Sequence, residues 1–250
     1  MQILEVSSTQ EAKEFLNLPL RLYKNDPNYI RPLDADIENV FDPGKNKFFR
    51  HGSCKRWLLK DNGLTVGRVA AFVNRKTAKS FDQPTGGMGF FESVNDHEVA
   101  AKLFDTARQW LEEQGMEAMD GPINFGDRVR WWGLLVDGFV PPCYCSNYNP
   151  PYYQELIERY GFQLYFKQYT YFRRVHAQLS ERFEARANRL LTDPAYSFRH
   201  LRKSKLDKFI EDFRSVYNKA WVKHKGVGEM THAQAKQLIG KLKPVIDERI

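Results

Sequence analysis

The residues with the clearest chemical potential lie in two stretches that place charge beside aromatic or apolar neighbours. In the first, Arg128 and Arg130 lie directly before Trp131 and Trp132, so planar cations adjoin large aromatic faces. This combination can hold a carboxylate, a phosphate or a nucleotide ring, although the tryptophans can equally pack under a loop while the arginines face water. The second is Glu92, which ends an apolar run rich in aromatics. Charged residues are rarely buried without a reason, so Glu92 is a candidate functional group.

Other reactive side chains have simpler interpretations. His97 could act as a base, but a surface histidine at a helix start explains it better. Three cysteines cannot all pair, and Cys143 and Cys145 are too close for an ordinary disulfide framework, which together with Cys54 favours free thiols in a reducing cytoplasm. The sequence has no histidine pair at helical ligand spacing, and its Cys-Tyr-Cys run offers too few ligands, so we predict no metal site.

Composition limits the class of protein. A chain of 250 residues, 42% hydrophobic and 14% aromatic, can build a core in one large domain or two small ones. Its net charge of +7 suggests anionic binding partners such as phosphorylated cofactors. Nucleic acid is unlikely as a partner, because 38 basic residues are scattered among 31 acidic ones without a long block of like charge. We predict neither a signal peptide nor a membrane span, and therefore expect a soluble, cytoplasmic protein.

A strand-helix-strand unit over residues 86–125 should position the central candidates. Residues 88–92 form an apolar, aromatic run typical of a buried strand. Apolar residues then recur at helical spacing, with Asn95 and Glu98 as a capping signature and Gly115 as the residue that closes the last turn. A helix between two strands predicts a crossover onto one sheet.

Flanking segments supply further elements. Before the central unit we predict a strand at residues 3–6 and a helix capped by Ser8 and Glu11, with Pro19 ending it or opening the next turn. A second helix at residues 33–41 and a hairpin follow, whose strands at 54–59 and 64–73 are joined by Asp61-Asn62-Gly63. After it we predict a long loop over residues 121–138, a helix from Pro150 to Gly161 and a strand over residues 162–172. Beyond residue 175 the predicted elements are a helix at 177–191, a strand at 196–201, and helices capped by Ser204 and Thr231.

This order resembles the GNAT superfamily of acyl-CoA-dependent N-acetyltransferases, whose elements run strand, two helices, three antiparallel strands, helix, strand, helix, strand. The matching residues are V-G-R-V-A-A-F at 66–72, G-F-F-E at 89–92, the helix A-K-L-F-D-T-A-R-Q-W-L-E-E-Q-G, and Y-Y-Q-E-L-I-E-R-Y-G-F at 152–162. The resemblance covers about residues 1–175. It implies an α+β domain with a GNAT-like mixed, mostly antiparallel twisted sheet flanked by helices, followed by a helical segment at 176–250.

The resemblance also implies roles for particular residues. Glu92 lies in the region where family members often keep the base for the amine, and Tyr160 lies near the family's tyrosine acid, whose own position here is Ile157. The expected ligands are acetyl-CoA or another acyl-CoA and a small-molecule or peptide amine acceptor. Candidates for cofactor contacts are Asn95 and Asn149. Candidates for substrate contacts are Arg128, Arg130, Trp131, Trp132, Asn124 and Tyr148.

One loop departs from the family pattern. Family members join the fourth strand to the long helix through Gln/Arg-x-x-Gly-x-Gly/Ala, whose N–H groups bind the pyrophosphate of CoA. Residues 93–98 of this chain read Ser-Val-Asn-Asp-His-Glu, with no glycine and two acids at the helix start. Acids there stabilise the empty helix by about 0.3–1 kcal/mol each and repel a phosphate for the same reason.

Two function classes follow. The chain is either an acyltransferase that moves an acyl group from CoA, or an aminoacyl group from a charged tRNA, to an amine, or a non-catalytic GNAT-like half that serves a longer tandem protein as a binding or interface domain. The strand-helix-helix pattern after residue 195 repeats the start of the chain, which suggests the beginning of a second GNAT-like half, as in Fem-type aminoacyltransferases and N-myristoyltransferases. A helical appendage on the first domain is the alternative. Acceptor, donor and oligomeric state stay open.

Overall fold

The chain folds as two compact units in the computed structural model, which describes residues 1–80, 82–224 and 228–249. The units are Met1–Tyr169 and Thr170–Ile250. The helices and strands of the first unit are β1 (Gln2–Glu5), α1 (Thr9–Leu22), α2 (Asp34–Phe41), β2 (Gly52–Asp61), β3 (Leu64–Asn74), β4 (Thr85–Ser93), α3 (His97–Glu113), β5 (Ala118–Asp120) and α4 (Tyr153–Tyr160).

All five strands form one open sheet in the order β1-β2-β3-β4-β5. Neighbouring strands are antiparallel except β4 and β5, which are parallel because α3 carries the chain back to the starting end of β4. The predicted mixed, mostly antiparallel sheet flanked by helices is therefore confirmed. Through α4, the elements follow the GNAT order.

Local signals in the sequence set several of these boundaries. Asn62 and Gly63 both have positive φ, 47° and 81°, as a two-residue hairpin turn of type I′ requires. Gly115 and Gly161 follow α3 and α4 with φ of 78° and 113°, which terminates each helix. Ser8 forms the predicted capping box at the start of α1.

The main core lies between one face of the sheet and helices α3 and α4. Alternate residues of β3, Val69, Ala71 and Val73, are fully buried on this side. The apolar stripe of α3 covers them with Val99, Ala100, Leu103, Phe104, Ala107, Trp110 and Leu111. The intervening residues of β3 face the other side, where Arg68 and Phe72 lie. The candidate site described below lies on that second face.

Two predicted strands do not form. Residues 162–172 and 196–201 have no ladder partner and are irregular, and Leu164 and Phe198 are mostly exposed. Alternation of apolar residues is not sufficient for a strand, because an isolated strand leaves its N–H and C=O groups unpaired. Strand β5, three residues long, offers little edge to pair with. The predicted repeat of the strand-helix-helix opening therefore loses its strand.

Three helix boundaries also differ from prediction. Asp96, rather than Asn95, caps α3, since its carboxylate accepts the N–H groups of Glu98 and Val99. Pro19 lies inside α1 instead of ending it, and the helix predicted from residue 177 begins at Glu181. A proline removes only one hydrogen bond, so packing of α1 on the sheet can retain it near the last turn.

The second unit is helical in its described part. It contains α5 (Glu181–Thr192), α6 (Leu206–Trp221) and α7 (His232–Leu242), of which α6 and α7 pack together. Thr231 forms the predicted cap, a capping box with Gln234. The cap predicted at Ser204 was wrong, because Ser204 lies inside a 3₁₀ turn and Lys205 precedes α6 without a side-chain cap. Within the described residues, none of the helices combines the length and apolarity needed to cross a membrane.

Strands β4 and β5 separate soon after they meet. They pair over only three residues each, and the chain then leaves β5 through a cis Gly121-Pro122 bond. Ile123 N–H donates to Met88 O at 2.8 Å, and a Cβ built on Gly89 would lie 1.8 Å from the Ile123 carbonyl oxygen. The departing loop therefore crosses β4 where a residue without a side chain lets the two backbones touch.

Gly89→Ala should lower the free energy of unfolding of the first unit by more than about 2 kcal/mol, because two backbone segments would have to move apart. Gly44→Ala is the matched control. Its Cβ would meet only the Asp42 carboxylate at 3.2 Å, so we expect a change within about 0.5 kcal/mol. Hydrogen exchange of β3 amides measures both, and equal stabilities would contradict the close approach.

Candidate active site

A cleft of about 830 Å³, including its part open to solvent, lies where β4 and β5 separate. The end of α1, the segment before α2 and the loop at residues 121–152 form its walls. Its lining is mostly apolar or aromatic and includes Leu16, Tyr29, Ile30, Ile37, Phe90 and Trp131. Glu92 and Arg68 are among the few charged groups that line it. Apolar clefts with a few convergent polar groups are the usual form of small-molecule sites.

A bulge in β4 turns Glu92 toward this cleft. Ala70 pairs with Gly89 and Arg68 pairs with Glu92, so Phe90 and Phe91 together oppose the single residue between them on β3. Phe90 has φ of 50°, a left-handed conformation that is uncommon for a bulky residue. Met88 points into the α3 core, and without the extra residue Glu92, four positions later, would point the same way.

The Glu92 carboxylate is held by three side chains from three different elements. Glu92 is only 8% exposed. Tyr23, just after α1, and Tyr153, on α4, each donate a hydroxyl to Oε2 at 2.8 Å. Arg68 Nη2 lies 3.4 Å from Oε1. Oε1 thus has the looser contact and is the oxygen better able to engage a ligand.

Burial sets the protonation of this group. Loss of water raises the pKa of Glu92, while the Arg68 charge and the tyrosine hydrogen bonds partly offset the rise. Burial and the neighbouring carboxylate raise the pKa of Tyr23 and of Tyr153, so both stay protonated and donate. A carboxylate with a raised pKa is a better proton acceptor than an exposed one, provided that the pH exceeds that pKa.

The position of the Arg68 guanidinium depends on Pro19, which lies inside α1 rather than at its end. Pro19 has no N–H, so the carbonyl of Phe15, four residues earlier, is left without its helical donor. Arg68 Nη1 donates to that carbonyl oxygen, and the guanidinium lies over the Phe15 ring at 4.6 Å. Arg68 is 4% exposed, and its Nε has no hydrogen-bond partner among the described residues.

Further tyrosines surround the entrance. The ring of Tyr23 stacks on Tyr29 with centroids 4.1 Å apart, and Tyr148 lies 6.0 Å from Tyr23. The Tyr148 hydroxyl donates to Asp26 at 2.7 Å. Burial is the main cause that raises the pKa of Tyr29 and of Tyr148 to about 12. These rings are therefore neutral aromatic walls at neutral pH.

Three residues predicted from the sequence to contact ligands lie at this cleft: Trp131, Tyr148 and Asn149. Trp131 has φ of 43° and its ring lies 5.6 Å from that of Phe90. The Asn149 amide binds both backbone groups of Leu135, at 2.8 and 3.0 Å, so it holds the loop wall in place.

The other predicted residues lie elsewhere. Asn124 and Trp132 line a separate pocket of about 500 Å³ beside the start of β4. Arg128 packs over Trp132 and Phe166, and Arg130 lies 3.8 Å from Asp36 in an ion pair. Asn95 lies in the turn before α3.

Tyr160 is also away from the Glu92 carboxylate. Its hydroxyl donates to Asp105 on α3 at 2.7 Å. The α4 residue that reaches Glu92 is Tyr153, seven positions earlier, two turns away along the helix. The structure therefore brings Tyr153, rather than Tyr160, to the cleft.

Sequence reasoning missed Tyr23, Arg68 and Tyr153. The signal for Arg68 was available, because an arginine interrupts the apolar strand V-G-R-V-A-A-F. A buried charge needs a partner, and Glu92 was the other charge expected to be buried. Tyr23 and Tyr153 offered no comparable signal, since a tyrosine on a buried helix face usually belongs to the core.

The described residues contain no group of three or more His, Cys, Asp or Glu side chains that could hold a metal ion. Cys54, Cys143 and Cys145 are free cysteines.

The antiparallel strands β1–β4, the crossover through α3 to a parallel β5, and the cleft where β4 and β5 separate define a GNAT fold. No protein-family model matches the sequence. The chain is 30% identical to the bacterial ceramide synthase of Caulobacter vibrioides (strain NA1000 / CB15N) over 256 residues, which covers 100% of this chain and 65% of that protein.

Two further similarities were found. The chain is 33% identical over 153 residues to protein YghO of Escherichia coli (strain K12), covering 61% of this chain and 39% of that protein. Its structure is similar to a predicted acetyltransferase from Clostridium acetobutylicum with acetyl-CoA, at a TM-score of 0.40 and 10% identity, over 68% of this chain and 94% of the other. The chain spans less than two thirds of the length of the curated relatives it matches.

Replacing Tyr153 with Phe should raise the pKa of Glu92 further, because the ionised carboxylate loses a hydrogen bond that favours it. Tyr160→Phe, on the same helix, should leave that pKa unchanged. A ¹³C NMR titration of the Glu92 carboxyl carbon compares the two variants with the wild type. An equal shift in both would show that Tyr153 has no particular role at the carboxylate.

Proposed function

We propose that this chain carries an N-acyltransferase domain that joins an acyl group from a thioester to the amine of a long-chain acceptor. The observation that carries the proposal is the buried Glu92 carboxylate at the base of an apolar cleft, with Arg68 and two tyrosines around it. Amine acylation needs a proton acceptor in such a position.

The chemistry requires two proton movements. An amine arrives as an ammonium ion and must lose a proton before its lone pair can attack the thioester carbonyl carbon. In our proposal the ionised Glu92 takes that proton, the C–N bond forms, and the C–S bond breaks. The nitrogen loses its second proton as the amide forms, and the sulfur takes up that proton and leaves as a thiol. Holding both reactants in one cleft would supply much of the rate.

The cleft favours an acceptor with an apolar chain. Besides Glu92, Arg68 and the Arg31–Asp34 ion pair, its lining is dominated by aliphatic and aromatic side chains that would gain from covering hydrocarbon, at about 25 cal/mol per Å² buried. An ammonium group at one end would meet the carboxylate. The aromatic walls around Tyr29 would suit the same cation.

The comparisons support this class of reaction. One relative is named a bacterial ceramide synthase, and making a ceramide joins an acyl group to the amine of a long-chain amino alcohol. The GNAT fold agrees with acyl transfer to an amine, although a fold by itself does not fix an activity. The alternative, a non-catalytic half of a longer protein, would be favoured if no amine were acylated in the assay below.

Glu92→Gln should reduce acyl transfer from a long-chain acyl thioester to a long-chain amine by about 10²–10⁴-fold, the usual contribution of a general base. The wild-type rate should fall as the pH drops through the raised pKa of Glu92, and the variant should lack that dependence. Mass spectrometry of the amide product measures both. Glu158→Gln, an exposed position on α4, is the control; full activity of Glu92→Gln would remove the proposed base.

Acceptor choice can be tested at the rim of the cleft. Ile30 lines the cleft yet is 55% exposed, so a charge there should leave the fold intact. Ile30→Asp should lower kcat/KM for a long-chain amine about tenfold, because a carboxylate would have to be desolvated against the chain, and should change a short amine little. An equal loss for both amines would contradict an apolar acceptor site along this wall.

A further inference from the structure

The turn between β4 and α3 is the place where the GNAT fold would hold the pyrophosphate of CoA, and in this chain several of its N–H groups already have partners within the protein. Ser93 N–H donates to the Tyr153 hydroxyl, and Val94 N–H donates to Val66 O. Asp96 N–H donates to Val94 O. Three N–H groups of the turn are therefore paired within the protein, and a phosphate that used them would have to displace these bonds.

The first turn of α3 is occupied as well. Asp96 Oδ1 accepts the N–H groups of Glu98 and Val99 at 2.8 and 3.2 Å, and Asp96 O accepts that of Ala100 at 3.0 Å. A carboxylate thus lies at the positive end of the helix dipole, where a phosphate oxygen would otherwise bind. No glycine in this turn gives a ligand close access to the backbone.

Charge around this corner is also unfavourable for phosphates. Asp96 and Glu98 lie at the start of α3, and Glu155 approaches from the first turn of α4. His97 is engaged by Glu155, with Nε2 and Oε1 3.3 Å apart. Three carboxylates against one histidine repel a diphosphate, which is itself multiply charged.

We infer that the acyl donor is recognised through its acyl-pantetheine part alone, and that the 3′-phospho-ADP half of CoA contributes nothing to its binding. The inference rests on the proposed function and deepens it by defining the donor. Two sources share this chemistry: an acyl-CoA whose nucleotide stays in solvent, and an acyl group on the phosphopantetheine arm of a carrier protein.

Binding tests the inference without requiring turnover. Isothermal titration calorimetry should give dissociation constants for CoA and for pantetheine that agree within about threefold, and no heat for 3′,5′-ADP. CoA binding tenfold or more tightly than pantetheine would overturn the inference. Because these ligands are not acylated, this result stands apart from success or failure of the Glu92 assay.

Substitution of the capping residue Asp96 should create a phosphate-binding helix start, which the wild type lacks. Asp96→Gly frees the N–H groups of α3 and removes one repelling charge, while glycine is a tolerable capping residue. It should tighten CoA about fivefold relative to pantetheine. Glu112→Gln makes a similar change of charge at the far end of α3. It should leave the ratio of the dissociation constants for CoA and pantetheine at its wild-type value. An unchanged ratio in Asp96→Gly would count against the role given to the cap.

Turnover with three donors then separates the two sources. With one acyl chain, kcat/KM for acyl-CoA and acyl-pantetheine should agree within about threefold. A higher value for the acyl carrier protein would identify a protein-borne donor, and equal values for all three would identify free thioesters. A value for acyl-CoA ten times that of both others would overturn the inference.

Discussion

A carboxylate that is 8% exposed has lost most of its water, and the site depends on how this chain compensates for that loss. Two hydroxyls and a guanidinium replace the water around Glu92, and they come from elements far apart in sequence. Arg68 is in turn anchored by a carbonyl of α1 that a proline left free. Helices α1 and α4 are thus both tied to one strand through a single charge. A disturbance of either helix would reach the carboxylate.

The bulge in β4 decides on which side of the sheet that charge lies. Side chains of a regular strand alternate, so Met88 and Glu92 would share the α3 core if the strand were regular. The extra residue at Phe90 separates them: Met88 and Phe91 stay in the core, and Glu92 meets Arg68 on the opposite side. Phe90 adopts an unfavourable φ for this purpose. Such conformations persist where surrounding packing enforces them, and here the Phe41 and Trp131 rings lie 5.1 and 5.6 Å away.

Much of the scaffold was predictable because its signals are local. Asn62-Gly63 fixes a hairpin, Gly115 and Gly161 terminate helices, and the stripe of α3 identifies its buried face, each within a few residues. The constellation around Glu92 was not predictable in the same way, because its partners lie 24, 61 and 69 residues away. The strand expected at residues 162–172 failed for a related reason: alternation describes a strand's faces but does not supply a neighbour.

The turn that stabilises the start of α3 also determines which ligands that helix start can bind. A helix start can be satisfied either by its own side chains or by a ligand, but not by both at once. Asp96 accepts two of its N–H groups here, and Tyr153 links the turn to Glu92, since its hydroxyl accepts the Ser93 N–H while donating to the Glu92 carboxylate. One hydroxyl therefore connects the closed turn with the buried carboxylate. Opening the turn to a phosphate would pull on the group that orients Glu92, so in this chain a fixed Glu92 carboxylate and a phosphate-binding turn are competing arrangements.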